Sequence, residues 1–551
     1  MDISNRRFCE EKFTPEELKI LSRFVSNPEG EVFVVNDQEL PGLVGAIYAR
    51  YSRAAGGFQR TLLKEFVDDN GEPKTHKADE LIRRVLIAFG DDSVGELEGA
   101  HLSVENISNL ATKEIEDRRI GLSPIEQSSR YVTYDQRDLQ GRWCYLRDET
   151  ILGSSVGPLY TETMDTIFAT YADLAAKLEE YFQAEYPINN AEYQIRSDRP
   201  KQHLSEITDE AEIKDFRRTY KMDIHTRACD TARILLPAST LTNVGLFGNG
   251  RSFQNMLNSL YTHPLPEMHK LAEEAHQELN HVMPRYVERA AANTYQVDIR
   301  SNMRRLGAQL CPTDSPLVRG GHRIELLPEA DLATSTLAQM LFSYTELSTT
   351  QLRETVRELT PEQRTNLIKT YHGQRDNRRQ RPGRALEDGY PIKFELQADF
   401  GIYRDLHRHR MLTQERQLLS TRLGFVEIPA AFDAIGERAA VEHCIELSRN
   451  LYEEIRKVLG VDYAQYAVLF GFNLRWTMGM NLREAMHLLE LRTIKQGHPS
   501  YRQVAQEMHR QLATRYPEFA AEMKFVDYND YTSARADSEA YQRQKEAQLV
   551  Q

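Results

Sequence analysis

Arg408-His409-Arg410 is the densest concentration of functional side chains in this 551-residue chain. The three follow an apolar, helix-compatible run (Phe400, Ile402, Tyr403, Leu406), and polar residues from Thr413 to Gln417 come directly after. A guanidinium offers a rigid fork of donors suited to phosphate or carboxylate oxygens, and imidazole changes charge near neutrality. Such a cluster fits an anion that must be held in one orientation. Taken alone, its composition equally describes a solvated helix face. A second stretch, Gly121 to Tyr131, reads as a polar loop rich in hydroxyls and amides. Within it Ser128, Ser129 and Arg130 can cradle a phosphate through hydroxyls, backbone N–H groups and a guanidinium, although an ordinary Ser-rich turn looks the same.

The elements that would position these groups are legible in outline. Alternation of apolar and polar residues predicts a strand ending near Ser108, and a further strand is expected at 392–398, each leading into a basic stretch. A short strand is expected at 31–35 and strand character at Trp143–Leu146. Helical spacing predicts helices over 78–89, 159–182, 266–292, 334–346, 347–358, 361–371 and 437–458. His225 to Pro237 reads as a helix stopped by its proline, with Arg233 near the C-terminal end. Leu241 to Phe253 reads as a Gly-rich turn into a helix, and Met480 to Arg492 as a helix with one polar face.

Composition narrows the function classes. A net charge of −13 argues against broad, sequence-independent nucleic-acid binding, while leaving room for a local basic pocket. Five scattered cysteines without a C-x-x-C argue against a disulfide scaffold or a structural zinc site. No apolar run approaches the roughly 20 residues of a membrane span, and the first residues lack an apolar signal core. A cytoplasmic protein is expected. Gly153 to Gly157 fits G-x-S-x-G and Gly245 to Gly250 resembles a dinucleotide loop, but neither has the strand context that its chemistry requires.

Two blocks occur twice, in the same order. The first, strand, helix and basic motif, covers 100–131 and again 392–421. The second begins at Asn249-Gly-Arg251 and again at Asn481-Leu-Arg483. The distance between blocks is 131 residues in the first copy (118 to 249) and 73 in the second (408 to 481), an excess that points to an insertion at about 135–222. The expected domains are a first repeat over 1–292 containing that insertion, a linker over 293–330, and a second repeat over 331–551.

These residues resemble the flavin-dependent thymidylate synthases, in a longer tandem form. That family carries R-H-R-x7-S continued as S-x-R-Y, an A-R-x-x-L-P helix end, and an N-x-R-x-x-x-N helix that closes on a further arginine. In the first copy Arg118-Arg119-Ile120 replaces R-H-R, but Ser123, Glu126, Gln127, Ser128, Ser129, Arg130 and Tyr131 match the remainder of that motif. Ala232 to Pro237 matches the helix end; Asn249, Arg251 and Asn255 match the last helix, with Leu260 in place of its final arginine. In the second copy Arg408-His409-Arg410 is intact, the S-x-R-Y is lost at Leu418 to Thr421, and Gln465 replaces the helix-end arginine. Asn481, Arg483 and Arg492 are kept, with His487 for the second asparagine.

The resemblance implies an α+β fold of two tandem repeats, each a mixed or antiparallel sheet with long helices. It implies FAD as cofactor, dUMP as substrate, methylenetetrahydrofolate as one-carbon donor and NADPH as reductant, and it requires no protein nucleophile. Family members are homotetramers with sites between subunits, so the complementary losses imply a homodimer acting as a pseudo-tetramer. Ser128, Ser129, Arg130 and Arg233 would hold the nucleotide, with Glu126 and Arg492 contributing. Arg408 and Arg410 would bind the FAD phosphates or press on the flavin edge, and His409 would face the folate or nicotinamide. Asn249, Arg251, Asn255, Asn481, Arg483 and His487 would line the flavin pocket. One departure stands out: the family's Leu-Glu-His segment has no counterpart, reading Leu386-Glu-Asp388 in one copy and Gly95-Glu-Leu-Glu-Gly99 in the other. An enzyme alkylating C5 of another pyrimidine nucleotide, and a non-catalytic flavin- or nucleotide-binding homologue, remain alternatives.

Overall fold

The computed structural model describes residues 13–51, 57–68, 70–74, 92–118, 120–196, 198–311, 320–327, 332–374, 383–387, 392–515, 517–520, 523 and 525–531. The expected helix at 78–89 lies outside them. The chain forms two compact units: Met1–Glu105, Glu114–Glu126 and Asn243–Thr294 in the first, Asn106–Lys113, Gln127–Thr242 and Tyr295–Gln551 in the second.

The first unit opens on α1 (Pro15–Phe24), started by a capping box between Thr14 and Glu17 with Pro15 in the first turn. Next comes β1 (Gly99–Ser108), whose apolar Ala100, Leu102 and Val104 face inward while His101, Ser103 and Glu105 face out. After α2 (Asn109–Glu116), whose first part belongs to the second unit, comes β2 (Leu122–Glu126), antiparallel to β3 (Leu241–Asn249) from Leu122↔Gly248 to Glu126↔Val244. The sheet order is β1-β3-β2. Residues 122–126 and 241–249, expected as loop and Gly-rich turn, are thus strands. Glycine misled there because its role is close approach: a Cβ on Gly248 would lie 2.3 Å from Leu122 Cδ2. The strand expected at 31–35 is reduced to one bridge, Val35 to Val25.

In the second unit the long helix α3 (Gly157–Glu185) packs on α4 (Glu210–Ala232) and on α5 (Arg438–Leu459). Helix α4 ends in a 3₁₀ turn, Arg233–Leu235, as α5 is followed by one at Gln465–Ala467. The stretch expected as an insertion, about 135–222, ends inside α4. It holds α3 and a short hairpin, Glu192–Tyr193 paired with Gln202–His203; Trp143 and Tyr145 make isolated bridges only. Residues 293–330, expected as a linker, contain α6 (Thr294–Leu310) and β4 (Arg323–Leu326).

The second sheet runs β4-β5-β7-β6, with β5 (Ile392–Asp399), β6 (Leu412–Arg416) and β7 (Asn473–Met480) all antiparallel to their neighbours. Leu412 pairs with Met480 as Leu122 pairs with Gly248, so the two copies share one register. Strand β5 alternates apolar and polar residues, and both of its faces are covered. Its polar side chains are met by two covering helices, α7 (Leu332–Phe342) and α8 (Thr349–Glu358). Lys393 Nζ donates to Gln339 Oε1 (3.0 Å), and the Thr349 N–H donates to Glu395 Oε2 (2.5 Å). From β7, Arg475 Nη2 donates to Gln397 Oε1 (2.8 Å). Such a layer is tolerable inside only because its polar groups find partners.

The copies meet within this unit on a local two-fold axis. Pro237 forms an antiparallel bridge with Leu469, and each lies four residues past the first residue of its 3₁₀ turn. The flanking bonds are symmetric: Ala238 N–H to Val468 O and Phe470 N–H to Leu236 O, both 2.8 Å. A position paired with its own counterpart is what an isologous contact between two subunits produces, here within one chain.

Candidate anion site between the two copies

The Arg-His-Arg motif follows α9 (Phe400–Leu406), a short helix whose N-cap, Asp399, accepts from the Ile402 N–H at 2.9 Å. Leu406, Ile402 and Phe400 are buried and anchor it. The turn beyond leaves the Arg408 and Arg410 side chains exposed and His409 at 5 % exposure. Arg404, on the same helix, donates from Nη1 to Ser129 Oγ at 3.1 Å, and its guanidinium lies over the Phe470 ring. Arg408 Nε donates to the Arg404 carbonyl at 3.1 Å.

Arg130 is held by Asp230 through two parallel bonds, Nε to Oδ1 at 2.6 Å and Nη2 to Oδ2 at 2.5 Å. Arg233, one helical turn beyond Asp230, donates from Nη2 to Asp405 Oδ2 at 3.3 Å. His498 Nε2 lies 3.9 Å from Asp230 Oδ1, and its ring packs beside Tyr501. Arginines from the first copy (Arg130, Arg233) and the second (Arg404, Arg408) therefore gather around two acids in one unit, so cations outnumber carboxylates.

The charges are set by one another. Burial disfavours the Asp405 carboxylate, but the guanidiniums of Arg233, Arg408 and Arg130 outweigh it and hold its pKa below the usual carboxylate range. Asp230 is lowered in the same way, with Arg130 the principal cation opposing its desolvation. Arg130 is raised: desolvation opposes its charge, and Asp230 more than restores it. His498 goes the other way, pushed down to about 4 by burial and then by Arg233, against the pull of Asp230. It is neutral at pH 7.

A second network surrounds His409. Its Nδ1 lies 2.8 Å from Glu484 Oε1, and Arg492 Nε donates to its Nε2 at 2.9 Å. Burial, with Arg492 nearby, lowers its pKa despite the Glu484 hydrogen bond. Glu484 and Arg492 belong to α10 (Leu482–Arg492), capped by Asn481, whose side chain accepts from the Glu484 N–H at 2.9 Å. His409, expected to face folate or nicotinamide, instead has both ring nitrogens engaged inside the protein.

A model of the family described as "Thymidylate synthase complementing protein" matches residues 44–285 and again 329–518. The chain belongs to this family, which occurs in it twice. Its relatives include the "UPF0159 protein" of Chlamydia muridarum, 35% identical over 548 residues, covering 96% of this chain and 98% of that one. A "UPF0159 protein" of Thermoplasma acidophilum is 30% identical over 498 residues, covering 90% and 97%. Among solved structures, a UMP/dUMP methylase PolB from Streptomyces cacaoi bound with 5-Br dUMP is 16% identical, covers 38% of this chain and 97% of its own, and has a TM-score of 0.23. A flavin-dependent thymidylate synthase ThyX from Helicobacter pylori, complexed with FAD and dUMP, is 18% identical, covers 46% and 96%, and has a TM-score of 0.24.

The remaining family-motif residues divide between the units. In the second, Ser128 organises its turn, its carbonyl accepting from the Tyr131 and Val132 N–H groups at 3.2 Å. Asn481, exposed, serves as a helix cap, and His487 is exposed with its ring 5.5 Å from that of His409. The side chain of Arg483 lies outside the described residues. In the first unit Glu126 is buried on β2, and Asn249 caps the helix Gly250–Thr262 through the Ser252 N–H. Arg251 is ion-paired with Glu96, and Asn255 is exposed.

Sequence reasoning missed Asp230, Arg404, Asp405, Glu484, His498 and Tyr501 as site residues. Two left a signal: Asp230 and Asp405 each stand three residues before an arginine of the motif, neighbours on a helix face. His498 left none.

Proposed function

We propose that this chain is an FAD-dependent thymidylate synthase, methylating dUMP at C5 with methylenetetrahydrofolate as donor and NADPH as reductant. The observation that supports this most is the meeting of complementary motif remnants, Arg130 and Arg233 from one copy beside Arg408 from the other, with Arg404 of the same helix joining them. Each copy has lost what the other retains, and the local two-fold axis brings the retained parts together. The working form would be a cytoplasmic homodimer.

In this reading Ser129, Arg130, Arg233 and Arg404 bind the nucleotide phosphate, a task for which guanidinium is shaped. Asp230 and Asp405 hold those guanidiniums in place before the ligand arrives, which reduces the cost of ordering them. Arg408 and Arg410, exposed at one turn beside His487, form a donor set that suits the diphosphate of FAD. Bound flavin would supply hydride, with the protein contributing orientation and positive charge.

The test is the visible spectrum of the purified chain with FAD, before and after dUMP, followed by tritium release from [5-³H]dUMP with folate and NADPH. A flavin band that shifts with dUMP and releases tritium supports the proposal. A chain that takes up no FAD would sink it. The missing Leu-Glu-His segment favours one alternative, C5 alkylation of another pyrimidine nucleotide, which the same assay detects with UMP.

A further inference from the structure

The imidazole of the Arg-His-Arg motif sits between two side chains of one helix. Glu484, Leu488 and Arg492 share a face of α10 at i, i+4 and i+8, and His409 enters between the first and the last. An arginine Nε–H can only donate, so His409 Nε2 must accept. The ring proton is then on Nδ1, where the Glu484 carboxylate receives it. The opposite tautomer would set two donors against each other at 2.9 Å and leave a carboxylate facing a lone pair.

Arg492 is the closing arginine of the last-helix motif, lost from the first copy as Leu260. Its guanidinium lies 5.9 Å from the centre of the Tyr501 ring, and Tyr501 is also the neighbour of His498. Asp405 and Arg408 are close enough to act on its charge. Arg492 therefore reaches from the His409 network to the anion site. A free arginine side chain samples many rotamers, and an accepting nitrogen on a buried ring removes much of that freedom.

We infer that His409 is a positioning residue rather than a proton carrier: Glu484 fixes its proton on Nδ1 so that Nε2 can hold Arg492 at the nucleotide site. The inference rests on the nucleotide reading above for what Arg492 meets, but not for the state of the ring. At 5 % exposure and with both nitrogens engaged, His409 has no proton to exchange with a ligand.

The test uses the full chain. Nitrogen-15 shifts of labelled histidine, with His409 assigned by its loss in His409→Gln, should show a neutral ring protonated at Nδ1 at pH 7. Glu484→Gln, whose amide oxygen still accepts, should keep that tautomer. Glu484→Leu removes the acceptor for Nδ1–H and should lower the share of that tautomer and weaken dUMP binding about tenfold, the worth of one hydrogen bond to a charged group. Should Glu484→Leu fail to fold, a second pair decides. His409→Gln can present an oxygen near the Nε2 position and should keep dUMP affinity within about threefold. His409→Asn reaches only the Nδ1 position and should lose about tenfold. An Nε2-protonated or doubly protonated ring at pH 7, or equal losses in the Gln and Asn variants, would overturn the inference. The tautomer is read without ligand, so a wild-type chain that binds no dUMP sinks the nucleotide reading alone.

Discussion

Arg233 donates to Asp405 across 3.3 Å, from positions 172 residues apart in the chain. The pair ties the 3₁₀ turn of the first copy to the helix that carries the Arg-His-Arg motif of the second. Both side chains are largely buried, at 5 % and 17 % exposure, so water screens the interaction little. Breaking it from one side leaves a charge in a poor solvent. Arg233→Ala is expected to destabilise the chain by about 3 kcal/mol. Arg233→Ala with Asp405→Ala should cost less than the sum of the single changes by at least about 1 kcal/mol. Urea unfolding of the four proteins checks this, and additive losses would mean that the pair is not coupled.

Arg130 makes its two bonds to Asp230 through a planar fork that lysine cannot reproduce. Arg130→Lys should keep the charge yet weaken dUMP binding about tenfold and lower the urea midpoint, because one buried bond to Asp230 is lost. Isothermal titration of wild type and variant decides, and an unchanged Kd would remove Arg130 from the phosphate contacts.

His498 should leave a mark on the pH dependence of stability. It faces Asp230, Asp405, Arg130 and Arg233, with Tyr501 beside it. Its folded pKa of about 4 lies below the ordinary histidine value of 6.5, so the unfolded chain binds this proton first. Stability is therefore complete above about pH 6.5 and falls as pH drops toward 4, by up to about 3 kcal/mol. His409, also lowered, adds a slope of the same sign. His498→Asn should flatten the curve between pH 6.5 and 4.5, measured as thermal midpoint against pH. A variant curve parallel to wild type would show that His498 is not buried neutral.

The buried polar layer of the second sheet offers a control away from the site. Arg475 is 1 % exposed, and its guanidinium serves Gln397, the Glu346 carbonyl (2.7 Å) and, at 3.7 Å, Glu395. Arg475→Met should cost about 3 kcal/mol by stranding those acceptors while leaving dUMP affinity unchanged in the folded protein. Thermal unfolding and titration on one preparation separate the two effects.

The doubled pattern was readable because its motifs are contiguous. Arg408-His409-Arg410, Ser128-Ser129-Arg130 and the Asn481 helix start each lie within a few residues, and the regular helices from 349 to 372 announced themselves by spacing and capping residues. Local reading failed where glycine had two meanings. In β3 it permits strands to approach closely, and the same residue elsewhere makes a turn. The strand at β5 was legible, but not the two helices, α7 and α8, that cover its polar face.

Family membership, the tandem copies and the set of arginines retained in each were therefore written in the linear order of residues. Their partners were not. Asp405 meets Arg233, Glu484 meets His409 and Arg404 meets Ser129 across separations of 172, 75 and 275 residues. The first and third exist only once the copies pack about their shared axis at Pro237 and Leu469, and the second only once the sheet and last helix of the second copy come together. His409, expected to face folate or nicotinamide, meets Glu484 and Arg492 with its two nitrogens; a histidine's role is set by what faces those nitrogens, and no pattern along the chain records that.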